Sequence, residues 1–259
     1  MLSVDFRPRE NFGLTFGNLR PGDHVLLPAL YDQTLIYERP TEHGLESYGG
    51  SRRRADGSRL FDGRIWINWQ KLNTAEHREK FNVGSMATLH FGALELEGQL
   101  HFVHRGGQLY NAGPVTDNPA FILGGIWEIP LPVGRLPRAG LAARRYWSKN
   151  VADRETPGTT ETGSGSELLA FIDLWGWRIQ VAGWFGSDFF AEDGQPFYRA
   201  DRLTRLSVRK DWRPLDRLII RAGLDVYDLH GSHPYDLFLT VDFGALFPLF
   251  TGDGGAGSP

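Results

Sequence analysis

Apolar and polar residues alternate with period two through most of the chain, which predicts strands rather than helices. From Phe81 to Phe91 the odd positions are Phe81, Val83, Ser85, Ala87, Leu89 and Phe91, set against Asn82, Gly84, Met86, Thr88 and His90. After Gly92-Ala93 the apolar set moves to Leu94, Leu96, Gly98, Leu100 and Phe102, with Glu95, Glu97, Gln99 and His101 between them. Two such runs joined by two residues make a hairpin with one greasy and one polar face. The pattern returns from Trp177 to Phe185, from Leu218 to Val226 and from Tyr235 to Phe247. It predicts about twelve strands, near 11–18, 43–49, 61–71, 79–91, 94–105, 117–130, 136–147, 166–175, 177–187, 202–212, 216–228 and 235–247. The best helical candidate, Leu72 to Lys80, is polar all round and predicts at most an exposed turn or two.

The connections alternate in length. Gly92-Ala93, Leu131 to Leu136, Gly176 and Arg213 to Leu215 are short, whereas 106–116, 148–165, 187–201 and 229–234 are longer and polar. All tight turns then fall at one end of the sheet, as in outer-membrane barrels. Several strands are nearer the ~9–11 residues of a tilted membrane strand than the ~5–6 usual in soluble sheets. The greasy face ends in aromatics at both margins: Phe91, Trp177, Trp212 and Phe247 at the short-turn side, Trp69, Phe102, Trp147, Phe185 and Tyr235 at the other. Two such girdles are what the two interfaces of a bilayer select. A soluble β-barrel holding an apolar ligand shares the alternation and is the alternative; it would fold in water without detergent.

Composition narrows the classes. The 259 residues carry 28 basic and 31 acidic side chains, a net charge of −3, and no Cys. There is thus no disulfide, no Cys-ligated metal and no thiol nucleophile, and no bulk attraction to nucleic acid. Arg52-Arg53-Arg54 is too short to change that. A mean hydropathy of −0.32 and the lack of a long apolar run exclude membrane-spanning helices but not a membrane barrel. Met1 to Glu10 does not read as a signal peptide, so the chain is expected to be cytoplasmic, mature, truncated or started late, with upstream strands then missing. Residues 1–250 are expected to form one barrel domain and 251–259 a flexible tail.

With its dyad strands over residues 11–250, its alternating connections and the aromatic-rich last strand from Tyr235 to Phe247, the chain resembles the porin-like bacterial outer-membrane β-barrels. The stretches from Phe12 to Arg20 and from Leu35 to Pro40 are similar to pieces of uncharacterised barrel proteins. The resemblance implies an all-β, antiparallel up-and-down transmembrane barrel of about twelve strands in the outer membrane. Both chain ends would lie in the periplasm, and Phe247 or Phe250 would serve the assembly machinery as the terminal aromatic. The implied partners are the lipid bilayer, small hydrophilic solutes and that machinery.

The polar face holds the remaining chemistry. Arg64, Asn68, Glu95, Glu97, Gln99, His101, Arg178, Gln180, Arg205, Arg209, Arg221, Asp225 and Asp242 are the expected pore lining. Trp69, Phe91, Trp147, Trp177, Phe185, Trp212, Tyr235 and Phe247 are the expected interface aromatics. These charges either wall a wet lumen or pair and pack with Trp66, Trp184 and Phe238 to plug it. Catalytic patterns are sparse. His101 and His104 point to opposite faces of a strand, which makes one a lumen and the other a rim histidine rather than a metal pair. Glu95 and Glu97 share a face about 7 Å apart, as a glycosidase pair could, but they lie on one strand instead of flanking a cleft. Gly163-Ser164-Gly165-Ser166 has neither nucleophile-elbow nor phosphate-loop spacing. A barrel lipid hydrolase would pair a Ser with a His on the lipid-facing side; Ser85 is outward without such a His, and Ser207 faces the polar side. The expectation is a narrow pore for small polar or charged solutes, with no catalytic residue, metal or cofactor.

Overall fold

The computed structural model describes residues 2–19, 24, 26–39, 41–53, 59–107, 113–130, 138–215, 218–229 and 232–243. They form thirteen antiparallel strands, each hydrogen-bonded to the next in sequence: β1 (Ser3–Arg9), β2 (Phe12–Leu19), β3 (Glu42–Gly50), β4 (Phe61–Lys71), β5 (Glu79–Phe91), β6 (Leu94–Gly106), β7 (Thr116–Pro130), β8 (Arg138–Val151), β9 (Thr160–Leu174), β10 (Trp177–Ser187), β11 (Arg202–Leu215), β12 (Leu218–Asp228) and β13 (Tyr235–Phe243). The all-β up-and-down architecture is as expected. The strand absent from the sequence reading is β1, whose Val4 and Phe6 alternate with Asp5 and Arg7 and pair with Phe16 and Leu14 of β2. Residues 72–78 carry a bend at 75–77 and no helical turn, and Glu79 and Lys80 already belong to β5. The helical pieces among the described residues are α1 (Leu35–Glu38) and a 3-10 turn at Pro196–Arg199, both inside long connections.

An odd strand count changes one expectation. With thirteen strands, β1 and β13 run in the same direction, so Ser3 lies at the long-loop end of the sheet and Phe243 at the short-turn end. The two ends of the described sheet therefore do not share a side. β1 and β13 are its two edges.

Side-chain parity sorts the sheet into two faces. On one face Leu123, Leu141, Leu168, Val181, Leu206 and Leu239 are exposed; on the other Asn82, Gln99, Tyr146, Glu167, Trp184, Arg205 and Tyr227 are buried. The buried face is the concave one, and large rings fill it by lying over glycines on the neighbouring strand. Trp66 covers its cross-strand partner Gly84, where a Cβ would come within 2.0 Å of the indole; Phe238 covers Gly223 at 2.2 Å. Glycine at these two positions is required by close approach.

Two long connections turn inward and complete the core. Leu26, Ala29, Leu30 and Tyr31 from the β2–β3 connection meet Phe189, Ala191 and Tyr198 from the β10–β11 connection. Together they pack against Trp66, Ile122, Tyr146, Trp184, Leu203 and Tyr227 of the wall. The backbone ties the two segments: Asp32 N–H donates to the Asp193 carbonyl (2.7 Å) and Gln195 N–H to the Pro28 carbonyl (2.8 Å). Leu27 N–H donates to Gln99 Oε1 on β6 (2.8 Å). Each buried Leu or aromatic contributes about 1.5–3 kcal/mol by leaving water, so this plug stabilises the concave side as a core.

Candidate functional site

Polar groups meet where the plug joins the wall at the long-loop end. His24 of the plug has Nδ1 2.7 Å from Glu42 Oε2 and Nε2 2.8 Å from Glu46 Oε2, both on β3. Its ring stacks on Trp66 at 4.1 Å, and Arg64 bonds Glu46 at 2.9 Å. Burial opposes the charged imidazolium, but the hydrogen bonds and charges of Glu42 and Glu46 outweigh it and hold His24 above the ordinary histidine range. With both nitrogens engaged and only 3% of the residue exposed, His24 is a clamp between plug and wall.

A second cluster lies beside it. Asp193 bonds Arg39 (3.1 Å) and faces His101 Nε2 at 3.9 Å, while Tyr31 meets the His101 ring edge-on. Burial would raise the Asp193 carboxyl, but the positive charge of His101, Lys80 and Arg39 outweighs it and holds the group below the usual carboxylate range. Lys80 (3.1 Å) and Arg105 both pair with Glu192. Above these groups opens a groove of about 800 Å³ lined by Arg39, His43, Lys71, His77, Lys80 and Arg105 among others. Among the described residues, no three His, Asp or Glu gather as a metal site.

Deeper in the sheet the charges pair. Arg144 reaches Glu97 through Nε (2.5 Å) and Glu167 through Nη1 (2.6 Å), and Arg209 bonds Asp225 at 3.2 Å. Arg178 bonds Asp173 (2.6 Å), and Arg221 lies 3.5 Å from Asp211. Of the residues expected to line a lumen, Arg64, Asn68, Gln99, His101, Arg205, Arg209 and Asp225 are on the concave face, packed or paired as described. Glu95, Arg178 and Gln180 border a smaller cavity of about 340 Å³ at the short-turn end. Arg221 is on the same face near that end. Asp242 lies in β13 with its side chain outside the described residues, as do Phe247 and the tail 251–259. Trp69, Phe91, Trp177, Phe185, Trp212 and Tyr235 all project, exposed, from the convex face. Trp147 shares that face, stacked on Phe121.

One polar constellation sits on the convex face. His104 of β6 is directly opposite Asp117 of β7, with Nδ1 2.7 Å from Oδ1. Arg154 from the β8–β9 connection grips the same carboxylate through Nε and Nη2. Phe81 and Phe102 flank the imidazole at 4.8 and 6.1 Å. The expected split of His101 and His104 to opposite faces is therefore observed. What escaped the sequence reading was Asp117, because only strand pairing brings residue 117 opposite residue 104. Ser85 shares this face but pairs with Leu100, four strand positions short of the dyad, and Ser207 is buried on the concave side.

An antiparallel up-and-down sheet with a packed, charge-paired concave side and an apolar convex side defines a β-wall protein with a filled interior. Within that class, the model of the Lipid A 3'-O-deacylase-type family matches residues 1–235, and the chain belongs to that family. A search of curated proteins finds no match. Membership in an enzyme-type family overturns two expectations, the pore for polar solutes and the lack of catalytic activity. The physical reason is visible on the concave face: of the charges taken for pore lining, Arg209 bonds Asp225 and Glu97 bonds Arg144, and the plug packs against the wall beside Tyr146 and Trp184.

Proposed function

We propose that this protein hydrolyses an ester-linked acyl chain of a lipid A-type glycolipid in the bacterial outer membrane, its sheet closed into a transmembrane barrel. The observation that carries this reading is the family match over residues 1–235. The convex face supports the membrane setting, with exposed Leu and Val between two margins of aromatics, Trp69, Phe185 and Tyr235 at one and Phe91, Trp177 and Trp212 at the other. Closure removes the unpaired edges of β1 and β13, which a hydrocarbon environment does not tolerate. A filled interior suits an enzyme that needs a rigid wall to hold catalytic groups rather than a water path.

The test is incubation of the detergent-refolded protein with purified lipid A in mixed micelles, followed by mass spectrometry of the lipid and of released fatty acid. Loss of one acyl mass from lipid A, with the matching free fatty acid, is expected. Unchanged lipid A in the presence of folded protein would refute the reading.

A further inference from the structure

We infer that the convex face carries a lipid-docking site on β8 and β9, where Arg145, Lys149 and the hydroxyls of Ser164 and Ser166 hold the phosphate monoester of a membrane lipid. This rests on the membrane setting of the proposed reading, not on the hydrolysis. Three observations carry it. First, Arg145 is an exposed cation on the apolar side of the wall. Its outward neighbours toward the short turns are Leu141 on its own strand, Leu123 across on β7 and Leu168 on β9, all exposed. Arg144, one residue earlier, points the other way and pairs with Glu97 and Glu167. Among the described residues no carboxylate pairs with Arg145, whose partners are hydroxyls. A guanidinium without a counter-charge beside hydrocarbon is unfavourable, and such residues mark sites.

Second, the guanidinium is held and aimed toward the loop end. Nη1 donates to Ser166 Oγ and Nη2 to Ser164 Oγ, each at 2.8 Å, and Cζ lies 5.9 Å from the Trp147 ring. Ser166 is the cross-strand partner of Arg145 and Ser164 that of Trp147, so the side chain climbs one dyad step, about 7 Å, toward the aromatic margin. The run Gly163-Ser164-Gly165-Ser166 thereby finds a role. Gly165 lies under Trp184 and Gly163 under the Asp188 backbone, where a Cβ would stand 2.0 Å away in each case, and the serines face outward between them. The serines take one N–H from each terminal nitrogen, which leaves Nε–H and the second N–H of each for an oxyanion.

Third, a second cation completes the charge. Lys149 is exposed on the same face of β8, two dyad steps beyond Arg145 and opposite Thr162 of β9. Trp147, stacked on Phe121, lies between the two cations. The flexible stem of a lysine lets its ammonium come down to the ring as the arginine fork comes up. A phosphate monoester carries about −1.5 to −2 at neutral pH on acceptor oxygens, which one guanidinium and one ammonium match.

Depth selects a lipid over a soluble phosphate. The margin that contains Trp147 marks the boundary between hydrocarbon and headgroup, where a lipid phosphate sits with its acyl chains directed into the bilayer. Those chains then run along exposed Leu123, Leu141 and Leu168, on the short-turn side of the cations. Docking is non-covalent and leaves the lipid unchanged.

The experiment titrates the full chain, refolded in detergent micelles, with dialkylglycerol phosphate and counts bound lipid by native mass spectrometry. Its ether-linked chains cannot be deacylated. Dialkylglycerol without phosphate and inorganic phosphate alone are the comparison arms, and near-UV circular dichroism checks that each variant is folded. One tightly bound dialkylglycerol phosphate is expected, which neither comparison compound replaces. Arg145→Leu should weaken its Kd about tenfold or more, and Lys149→Gln about threefold to tenfold. Arg202→Gln, which removes an exposed cation on β11, should bind as the wild type does. An unchanged Kd in Arg145→Leu would overturn the inference, as would equal binding of the phosphate-free lipid or displacement by inorganic phosphate at the same concentration. If Arg145→Leu instead turned a dimer into a monomer with lipid binding unchanged, the patch would belong to a second copy of the chain, and the inference would again fall. A chain that leaves lipid A intact yet binds the ether lipid loses the deacylase reading and keeps this one. A chain that folds and stays soluble without detergent loses the membrane setting and with it both. Should Arg145→Leu fail to fold, Lys149→Gln decides: a weaker Kd supports the site, and an unchanged Kd overturns it.

Discussion

Replacing Arg144 by Met tests whether the concave side is a packed interior or a wet passage. Arg144 is the shared partner of Glu97 and Glu167, and all three side chains are nearly inaccessible. At an effective dielectric constant of about 20, one such pair at 4 Å is worth about 4 kcal/mol. Removing one partner of a buried pair typically costs about 3–5 kcal/mol, because the remaining charge is stranded. Arg144→Met strands two carboxylates, so a loss of about 4–5 kcal/mol is expected, more than a thousandfold in the folding equilibrium. In an open aqueous lumen the same pairs would be worth about 0–1 kcal/mol. The assay is urea unfolding in detergent micelles followed by tryptophan fluorescence. Adding Glu97→Gln and Glu167→Gln to Arg144→Met should recover most of the loss, since neutral amides do not demand a cation. A loss below about 1 kcal/mol, or no recovery in the triple variant, would refute the packed-interior reasoning.

Two further outcomes follow from the same structure. Because His24 titrates above its ordinary value when folded, its contribution is fully present below about pH 6.5 and is lost as pH rises through the raised folded value. Unfolding midpoints measured across that window should fall with pH, and His24→Gln should flatten the slope. On β13, Leu239 is 68% exposed on the convex face while Thr240 points inward. Leu239→Arg should cost about 2–4 kcal/mol in a lipid bilayer and Thr240→Arg much less; equal tolerance in vesicle refolding would contradict the membrane-facing assignment.

Most of the wall was legible in the sequence because period two is a direct imprint of a sheet with unlike faces. β5 and β6, from Glu79 to Gly106, were read almost residue for residue, their hairpin marked by Gly92 in a positive-φ turn. β1 was missed because its alternation is short, with only Val4 and Phe6 on its apolar side before Pro8, a residue that cannot donate to a ladder. A plugged interior was one of the two outcomes read from the polar face, but its filling by two connections was missed, because segments 26–39 and 188–201 have no period and each residue finds its partner through tertiary packing. A trace of it was present in Leu26, Leu27, Ala29, Leu30 and Tyr31, an apolar cluster between two strands. Function was the least legible. Alternating strands serve pores and hydrolases alike, and the His104–Asp117 pairing exists only once β6 and β7 are in register.

The distance along the chain between the two plug segments has a consequence for the order of folding. Arg39 and Asp193 are 154 residues apart and meet only across the finished interior. Neighbouring hairpins such as β5–β6 close short loops and form early, whereas contacts of such separation form late. Docking of the second segment onto the first therefore waits until the wall between β3 and β10 exists. Until that moment the wall residues Trp66, Ile122, Tyr146 and Tyr227 lack the plug they pack against, and the wall is a scaffold without its interior. Completion of the core is the last step of maturation, so a destabilised plug would be expected to reveal itself as a slow final phase rather than as a failure to build strands.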